Sequence, residues 1–252
     1  MLKTVILAAG KGTRMESDLP KVVHEANDKM MVASVIDAAA AAGATDVCLV
    51  VGHQAELVKE RVEEVYAREQ NIRISFALQT EQLGTGHAVK CARDFIGDEG
   101  DVLVLCGDTP LIQSKTLDML VQTHRREGNA ATVLSAVLPD ATGYGRIIRD
   151  EDGTFARIVE QKDATIEEQK VREINSGMYV FAADALGESL DMLTNDNAQG
   201  EYYLTDTLEL IKTRIGRRVN AVVTENLDDI RGVNTKAQLK EADEILRARA
   251  NQ

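Results

Sequence analysis

Cysteine is scarce in this chain of 252 residues, and its placement removes whole classes of protein. Cys48, Cys91 and Cys106 are odd in number and form no Cys-x-x-Cys spacing, which argues against a disulfide framework and against a thiolate zinc site. Cys48 and Cys106 sit inside apolar runs and read as buried thiols of a reducing cytoplasm. Prolines number three and no Ser/Gly-rich stretch interrupts the chain, so no linker marks a domain boundary. No apolar run approaches the roughly 18 residues that a membrane-spanning helix needs. The N-terminus runs straight into Thr4-Val5-Ile6-Leu7, without the apolar core or cleavage site of a signal peptide. Positive charge is in deficit: 29 Lys and Arg against 41 Asp and Glu leave a net charge of -12 and a pI near 4.9. That balance speaks against nucleic acid or an anionic membrane as the main partner.

What is present is an ordinary globular composition, 44% hydrophobic and 28% charged, of a length that fits one large α/β domain or two small ones. The acidity has one exception. Residues 1–21 carry Lys3, Lys11, Arg14 and Lys21 against only Glu16 and Asp18, a basic island suited to a small polyanion. Over the first 125 residues strand-like and helix-like segments alternate: strands at 5–7, 47–51, 72–78 and 102–106, helices at 32–42, 55–66, 86–95 and 116–126. The β-branched run at 47–51 is that of a strand buried on both faces of a parallel sheet. The fold class is α/β, a Rossmann-like, doubly wound and mostly parallel sheet. Beyond residue 126 the pattern changes. A strand at 132–138 precedes an antiparallel hairpin of 146–149 and 155–159 around Asp150-Glu151-Asp152-Gly153, whose acids read as solvated turn residues. A strand at 177–182, a helix at 204–215, a strand at 219–223 and an amphipathic helix at 235–250 follow. The mixed character of the sheet comes from this second part, an antiparallel subregion on a parallel core.

The first strand ends in Leu7-Ala8-Ala9-Gly10-Lys11-Gly12-Thr13-Arg14-Met15, followed by Leu19-Pro20-Lys21. A glycine loop after a strand frees backbone N–H groups to face phosphate oxygens, and Arg14 and Lys21 add charge. The spacing is neither a Walker A loop nor a Gly-x-Gly-x-x-Gly fingerprint, so on spacing alone an ordinary turn is an equal reading. Asp108 follows a strand and a glycine, the position where ligand sites of open α/β sheets lie; it reads as a magnesium ligand, with a turn-capping role beside it. Asn234 follows a short strand-like stretch, 230–233, as Asp108 follows its strand, and it precedes Thr235-x-x-Gln238, a helix capping box, and so also has a local role of its own. His87 reads as a helix-packing residue.

The glycine loop with Leu19-Pro20-Lys21 resembles the signature of the sugar-1-phosphate nucleotidyltransferases. Gln79-Thr80-Glu81-Gln82-Leu83-Gly84-Thr85-Gly86-His87-Ala88 is similar to their base-recognition loop, and Gly107-Asp108-Thr109-Pro110-Leu111 to their metal-holding strand end. Thr142-Gly143-Tyr144-Gly145-Arg146-Ile147, Glu160-Gln161-Lys162-Asp163-Ala164, Ile174-Asn175-Ser176-Gly177, the run from Asn197 to Asp206 and Gly232-Val233-Asn234 complete the set in order. The ordered set resembles the uridylyltransferase domains of bacterial bifunctional enzymes that make UDP-N-acetylglucosamine.

The resemblance implies transfer of a uridylyl group from UTP to N-acetylglucosamine-1-phosphate, giving UDP-N-acetylglucosamine and pyrophosphate, with Mg²⁺ as cofactor. It implies catalytic roles for Arg14 and Lys21, and nucleotide binding by Leu7, Ala8, Ala9, Gly10, Gly12, Thr13, Gln79, Gly84 and Thr85. It implies sugar binding by Gly145, Glu160, Asn175, Glu201 and Tyr203, and a metal held by Asp108 and Asn234. Residues 1–125 then hold mainly the nucleotide, 126–230 mainly the sugar, and 231–252 the metal-ligand turn and a last helix. No nucleic acid or membrane partner is expected, and the chain is expected in the cytoplasm as a monomer or weak oligomer. It carries no hexapeptide repeats, so no acetyl transfer is expected. A sugar phosphate is largely dianionic near neutral pH, its second pKa being about 6, so its attack needs no general base. The absence of a Ser/His/Asp triad suits such chemistry.

Three other readings remain at this stage: a relative using another sugar or nucleotide, a non-catalytic nucleotide-sugar sensor, and a glycosyltransferase, whose Asp-x-Asp is here only Asp108 followed by Thr109. Two departures from the family pattern stand out. Asn27-Asp28-Lys29-Met30-Met31 replaces a stretch with a glycine and a proline, which is expected to loosen the loop into the next helix. Cys106 stands where relatives often carry an aromatic residue.

Overall fold

The β-branched runs of the sequence become the middle strands of one mixed sheet. The computed structural model describes residues 1–69 and 71–251; Gln70, and Gln252 at the end of the 231–252 segment, lie outside the described residues. In chain order the elements are β1 (Leu2–Leu7), a short hairpin of β2 (Glu25–Ala26) and β3 (Lys29–Met30), α1 (Met31–Ala41), β4 (Asp46–Val51), α2 (Ala55–Tyr66) and β5 (Arg73–Leu78). There follow α3 (Thr85–Cys91), α4 (Arg93–Ile96), β6 (Asp101–Cys106), α5 (Ser114–Glu127), β7 (Ala131–Val137) and a hairpin of β8 (Arg146–Arg149) and β9 (Phe155–Val159). Last come β10 (Glu173–Ala182), α6 (Ala183–Asp191), α7 (Asp206–Leu210), β11 (Val219–Val223) and α8 (Lys236–Ala250).

The strand order is β5-β4-β1-β6-β10-β7-β11. β5, β4, β1 and β6 run parallel, β10 is antiparallel to both β6 and β7, and β11 is parallel to β7. The β8–β9 hairpin hangs from β10 through the single pair Ile174–Arg146. Alternate residues of each central strand feed two cores. Ile6, Leu49 and Leu105 pack on one face with Val35 and Ile36 of α1, Val58 of α2 and Leu120 of α5. Val5, Val50 and Val104 pack on the other with Val89 of α3, Ile96 of α4, Leu186 of α6 and Leu208 of α7. Helices therefore cover both faces, the doubly wound arrangement expected from the sequence. Burial of each such side chain contributes roughly 1.5–3 kcal/mol.

Four local expectations fail. The helix expected over 86–95 is two, α3 and α4, because the backbone opens at Ala92 (φ -95°, ψ 15°). The helix expected over 204–215 is a short α7 continued by a π-helical turn, Ile211–Ile215. The strand expected at 177–182 begins earlier, at Glu173, and carries a bulge. The strand-like stretch 230–233 is no strand: a 3-10 turn, Leu227–Ile230, leads into irregular backbone.

The loop before α1 is not loosened. Asn27 and Asp28 take left-handed conformations (φ 52° and 59°), which these two residue types tolerate, and they close the β2–β3 turn. Helix α8 holds it from outside. The Asn27 N–H donates to Asp243 (2.7 Å), and Arg247 bridges Asp243 and Asp28.

Candidate active site

The chain leaves β1 for β4 on one side and returns to β6 on the other, so the loops after β1 and β6 part and open a crevice. A cavity of about 340 Å³ occupies it. Its lining includes Leu7, Ala8, Ala9, Gly10, Lys21, Gln79, Gly84, Thr85, Asp108 and Glu201 from the predicted set. Val22, Gln82, Ala88 and Cys106 join them. Cys106 is thus only partly buried, against the expectation of a core thiol; burial, and secondarily Asp108, push it up to about 12, so it stays protonated.

Gly12, Thr13 and Arg14 form the turn after the glycine loop. Gly12 has φ +61°, and a Cβ there would lie 2.6 Å from the Lys21 Cβ, so only glycine lets the two segments meet. That approach delivers Lys21. Its ammonium donates to Asp108 Oδ2 and to Asn234 Oδ1 (2.8 Å), while Arg14 Nη2 donates to the same Asn234 oxygen (2.9 Å). Asn234 does not arrive from a strand end. The capping box of α8 places it: Gln238 Oε1 accepts from the Asn234 and Thr235 N–H groups (2.8 and 3.1 Å), and the Val233 N–H bonds the Asp108 carbonyl (2.8 Å). The capping role and the site role of this turn coexist.

On the opposite wall Gln79, 5% exposed, donates both amide protons, to the Gly84 carbonyl (3.2 Å) and to His87 Nδ1 (3.1 Å). This assignment follows from the network, with His87 carrying its proton on Nε2. His87 therefore does more than pack; it fixes Gln79 so that Oε1 is left as an acceptor. Gly84 sits at φ +109°, where a Cβ would come within 2.6 Å of the Tyr202 carbonyl. Gln82, absent from the predicted set, donates to the Ala9 carbonyl (2.7 Å) and ties this loop to the glycine loop.

Gly145, Glu160 and Asn175 do not line the cavity and gather on the hairpin side. A Cβ at Gly145 would lie 3.3 Å from a Glu160 carboxylate oxygen, and Gly145 O accepts from the Asn175 N–H (2.9 Å). Burial, with Asp163 and Glu201 nearby, raises Glu160; the Thr205 hydroxyl, donating to Oε1 (3.1 Å), works against that rise. Asp206 is pushed up to about 6 by burial, then by Glu209, Glu160 and Asp163. Tyr203 is buried and does not line the cavity; its hydroxyl donates to Asp163 (3.1 Å) and accepts from Gln199 (2.9 Å). Thr205, Asp163 and Asp206 were missed as site residues, although all three lie inside recognised motifs. The cleft thus has a cationic end and an acidic end.

The sequence pattern of the family described as nucleotidyl transferase matches residues 3–230. The chain is 48% identical over 250 residues to the bifunctional protein GlmU of Clostridioides difficile, and 52% identical over 250 residues to that of Thermoanaerobacter pseudethanolicus. Each match takes in 99% of this chain and 52% of the relative, so the chain spans about half the length of these relatives. A solved structure of UDP-glucose pyrophosphorylase complexed with UDP-glucose superposes with a TM-score of 0.80, covering 98% of both chains at 20% identity. The architecture is shared with that protein.

Proposed function

The chain belongs to the nucleotidyl transferase family, and from that premise we propose that it transfers a uridylyl group from UTP to N-acetylglucosamine-1-phosphate, releasing pyrophosphate and UDP-N-acetylglucosamine. The observation that carries the reading is the convergence of Arg14, Lys21, Asp108 and Asn234 beside the glycine loop, at a cleft that Gln79 and Glu201 also line. The roughly 50% identity to GlmU proteins along nearly the whole chain supports the choice of substrates.

The loop from Leu7 to Thr13 cradles the triphosphate with backbone N–H groups. Gln79 Oε1, its amide protons already spent, suits the N3–H donor of uracil and rejects the N3 acceptor of cytosine. Gly84 and Thr85 complete the base wall. Arg14 and Lys21 oppose the charge that builds on the transferring phosphoryl group and on the departing pyrophosphate, and so act chiefly in the transition state. The acceptor phosphate attacks the α-phosphorus in line, and no side chain takes a proton from it. Gly145, Glu160, Asn175 and Glu201 hold the sugar through its hydroxyl and amide groups; Tyr203 supports them by fixing Asp163.

Asp108 and Asn234 fit Mg²⁺: two hard oxygens converge on one cation, the Lys21 ammonium. Bound there with the nucleotide, the ion supplies neutralisation of phosphate charge. Residues 1–125 serve the nucleotide and 126–230 the sugar. No helix among the described residues is long and apolar enough to cross a membrane, and three free thiols suit the reducing cytoplasm as the place of reaction. The test is pyrophosphate release from UTP and N-acetylglucosamine-1-phosphate with Mg²⁺, beside CTP and glucose-1-phosphate. Preference for the first pair is expected; a folded protein with no release from it overturns the reading.

A further inference from the structure

The bulge in β10 has a polar interior that the family's motifs leave unexplained. Pairing with β7 shifts register between Asn175 and Tyr179, so that the Gly177 N–H turns inward and donates to Asn175 Oδ1 (2.9 Å). A backbone N–H only donates, so the atom facing it is the amide oxygen, and the other arm of the amide is Nδ2. Nδ2 donates to the Tyr179 hydroxyl oxygen (2.8 Å). The amide is therefore held at both ends, with one N–H and one carbonyl lone pair still to give. Asn175 is half-buried, whereas Tyr179 is 3% exposed and its ring is braced against Phe181, centroids 5.6 Å apart. Having accepted from Asn175, the Tyr179 hydroxyl keeps its own proton. Burial, and secondarily the charge of Glu160, hold this phenol well above its ordinary value, so the proton stays in place.

We propose that Tyr179 is a positioning residue for the acceptor side of the cleft, its hydroxyl locking the Asn175 amide in the one orientation that offers the sugar both a donor and an acceptor. The inference rests on the functional reading above, in which Asn175 touches the acceptor. Without the hydroxyl, the amide is held at its oxygen alone, by the Gly177 N–H, and its Nδ2 arm gains orientations that do not meet the sugar. Binding then carries the entropy of reordering it.

Tyr179→Phe is the test, because it keeps the ring and its packing and removes one oxygen. The KM for N-acetylglucosamine-1-phosphate should rise about tenfold, the effect of one lost positioning contact, while the KM for UTP stays within about twofold. In an Asn175→Ala background the same change should have no further effect on the sugar KM, since Tyr179 acts through Asn175. A general loosening of the fold would instead lower the melting temperature and move both KM values together, and that outcome overturns the proposal. So does an unchanged sugar KM in an active variant, or an effect that persists without Asn175. A wild-type protein that releases no pyrophosphate from this substrate pair overturns the functional reading and this inference with it.

Discussion

From Gly10 to Asp108 the cleft is walled by loops that follow parallel strands; its lining reaches the second part of the chain at Glu201, beside which Glu160, Asp163 and Asp206 cluster on a hairpin, its following loop and a short helix. The first wall offers backbone and two cations, the second offers acids with neutral partners. Glu160 accepts from a threonine hydroxyl, and Asp163 from the Ala198 N–H and the Tyr203 hydroxyl. The division suits the two kinds of group on the proposed substrates. Phosphate brings several negative charges and needs opposing charge; a sugar brings neutral hydroxyls, which bind best to carboxylates not already paired with cations. On the proposed reaction, a cleft polarised in this way would also orient the acceptor, since a reversed molecule would set its phosphate against the acids.

The comparison is broken most severely at its cationic end. Lys21→Ala and Arg14→Ala should each lower kcat about 10²–10³-fold with smaller changes in nucleotide affinity, because these charges act on the transferring group. Steady-state kinetics decides this; a change confined to KM would make the residue a ground-state phosphate binder. The backbone character of the same wall is tested at Gly84, whose added Cβ would meet the Tyr202 carbonyl. Gly84→Ala should raise the UTP KM about tenfold or more, the loop being displaced by a strain of order 1–3 kcal/mol. A normal UTP KM would show that the loop has room to yield.

At the acidic end the expected effect is on stability. Asp206 has its folded value raised from 3.8 to about 6, so the fold prefers its neutral form. That contribution is complete below pH 3.8 and is lost as the pH rises through about 6. Asp206→Asn keeps the neutral state at every pH. Above pH 6 the variant should melt higher than the wild type by about 2–4 °C, about 1 kcal/mol after allowance for solvent screening of this partly exposed group. The difference should disappear near pH 4. Thr235→Ala is the smallest change, removing an N-cap at a cost of about 1 kcal/mol. It should lower the melting temperature by about 2–4 °C and, by leaving the Gln238 backbone N–H without the Thr235 hydroxyl and so loosening the turn that carries Asn234, reduce kcat less than Lys21→Ala does.

Much of the fold could be read directly. β4 and β6 are β-branched or leucine runs that only a strand buried on both faces accommodates, and the capping box at Thr235 announced α8 within one residue. The glycine loop was legible because its backbone conformation is local. What escaped were features settled by partners far away. Ala92 breaks a helix whose apolar pattern continues across it. Residues 230–233 look strand-like because four residues are too few to separate strand from turn. The tolerance of Asn27 and Asp28 depends on Asp243 and Arg247, more than 200 positions later. Among site residues, Gln82, Thr205 and Tyr179 act through hydrogen bonds to other polar groups, and spacing alone gives no sign of such pairs.

The joining of Lys21 and Arg14 to Asn234, across 213 and 220 residues, also governs when the protein becomes competent during synthesis. Contacts of such separation close almost the whole chain into one loop, the most slowly won kind in folding. A nascent chain of 200 residues already holds the glycine loop, Glu160, Asp163, Asn175 and every strand of the large sheet except β11. It has no partner for Lys21 beyond Asp108. The two cations are therefore held together only after residue 234 and the helix that caps it have emerged, so a partly made chain stays silent.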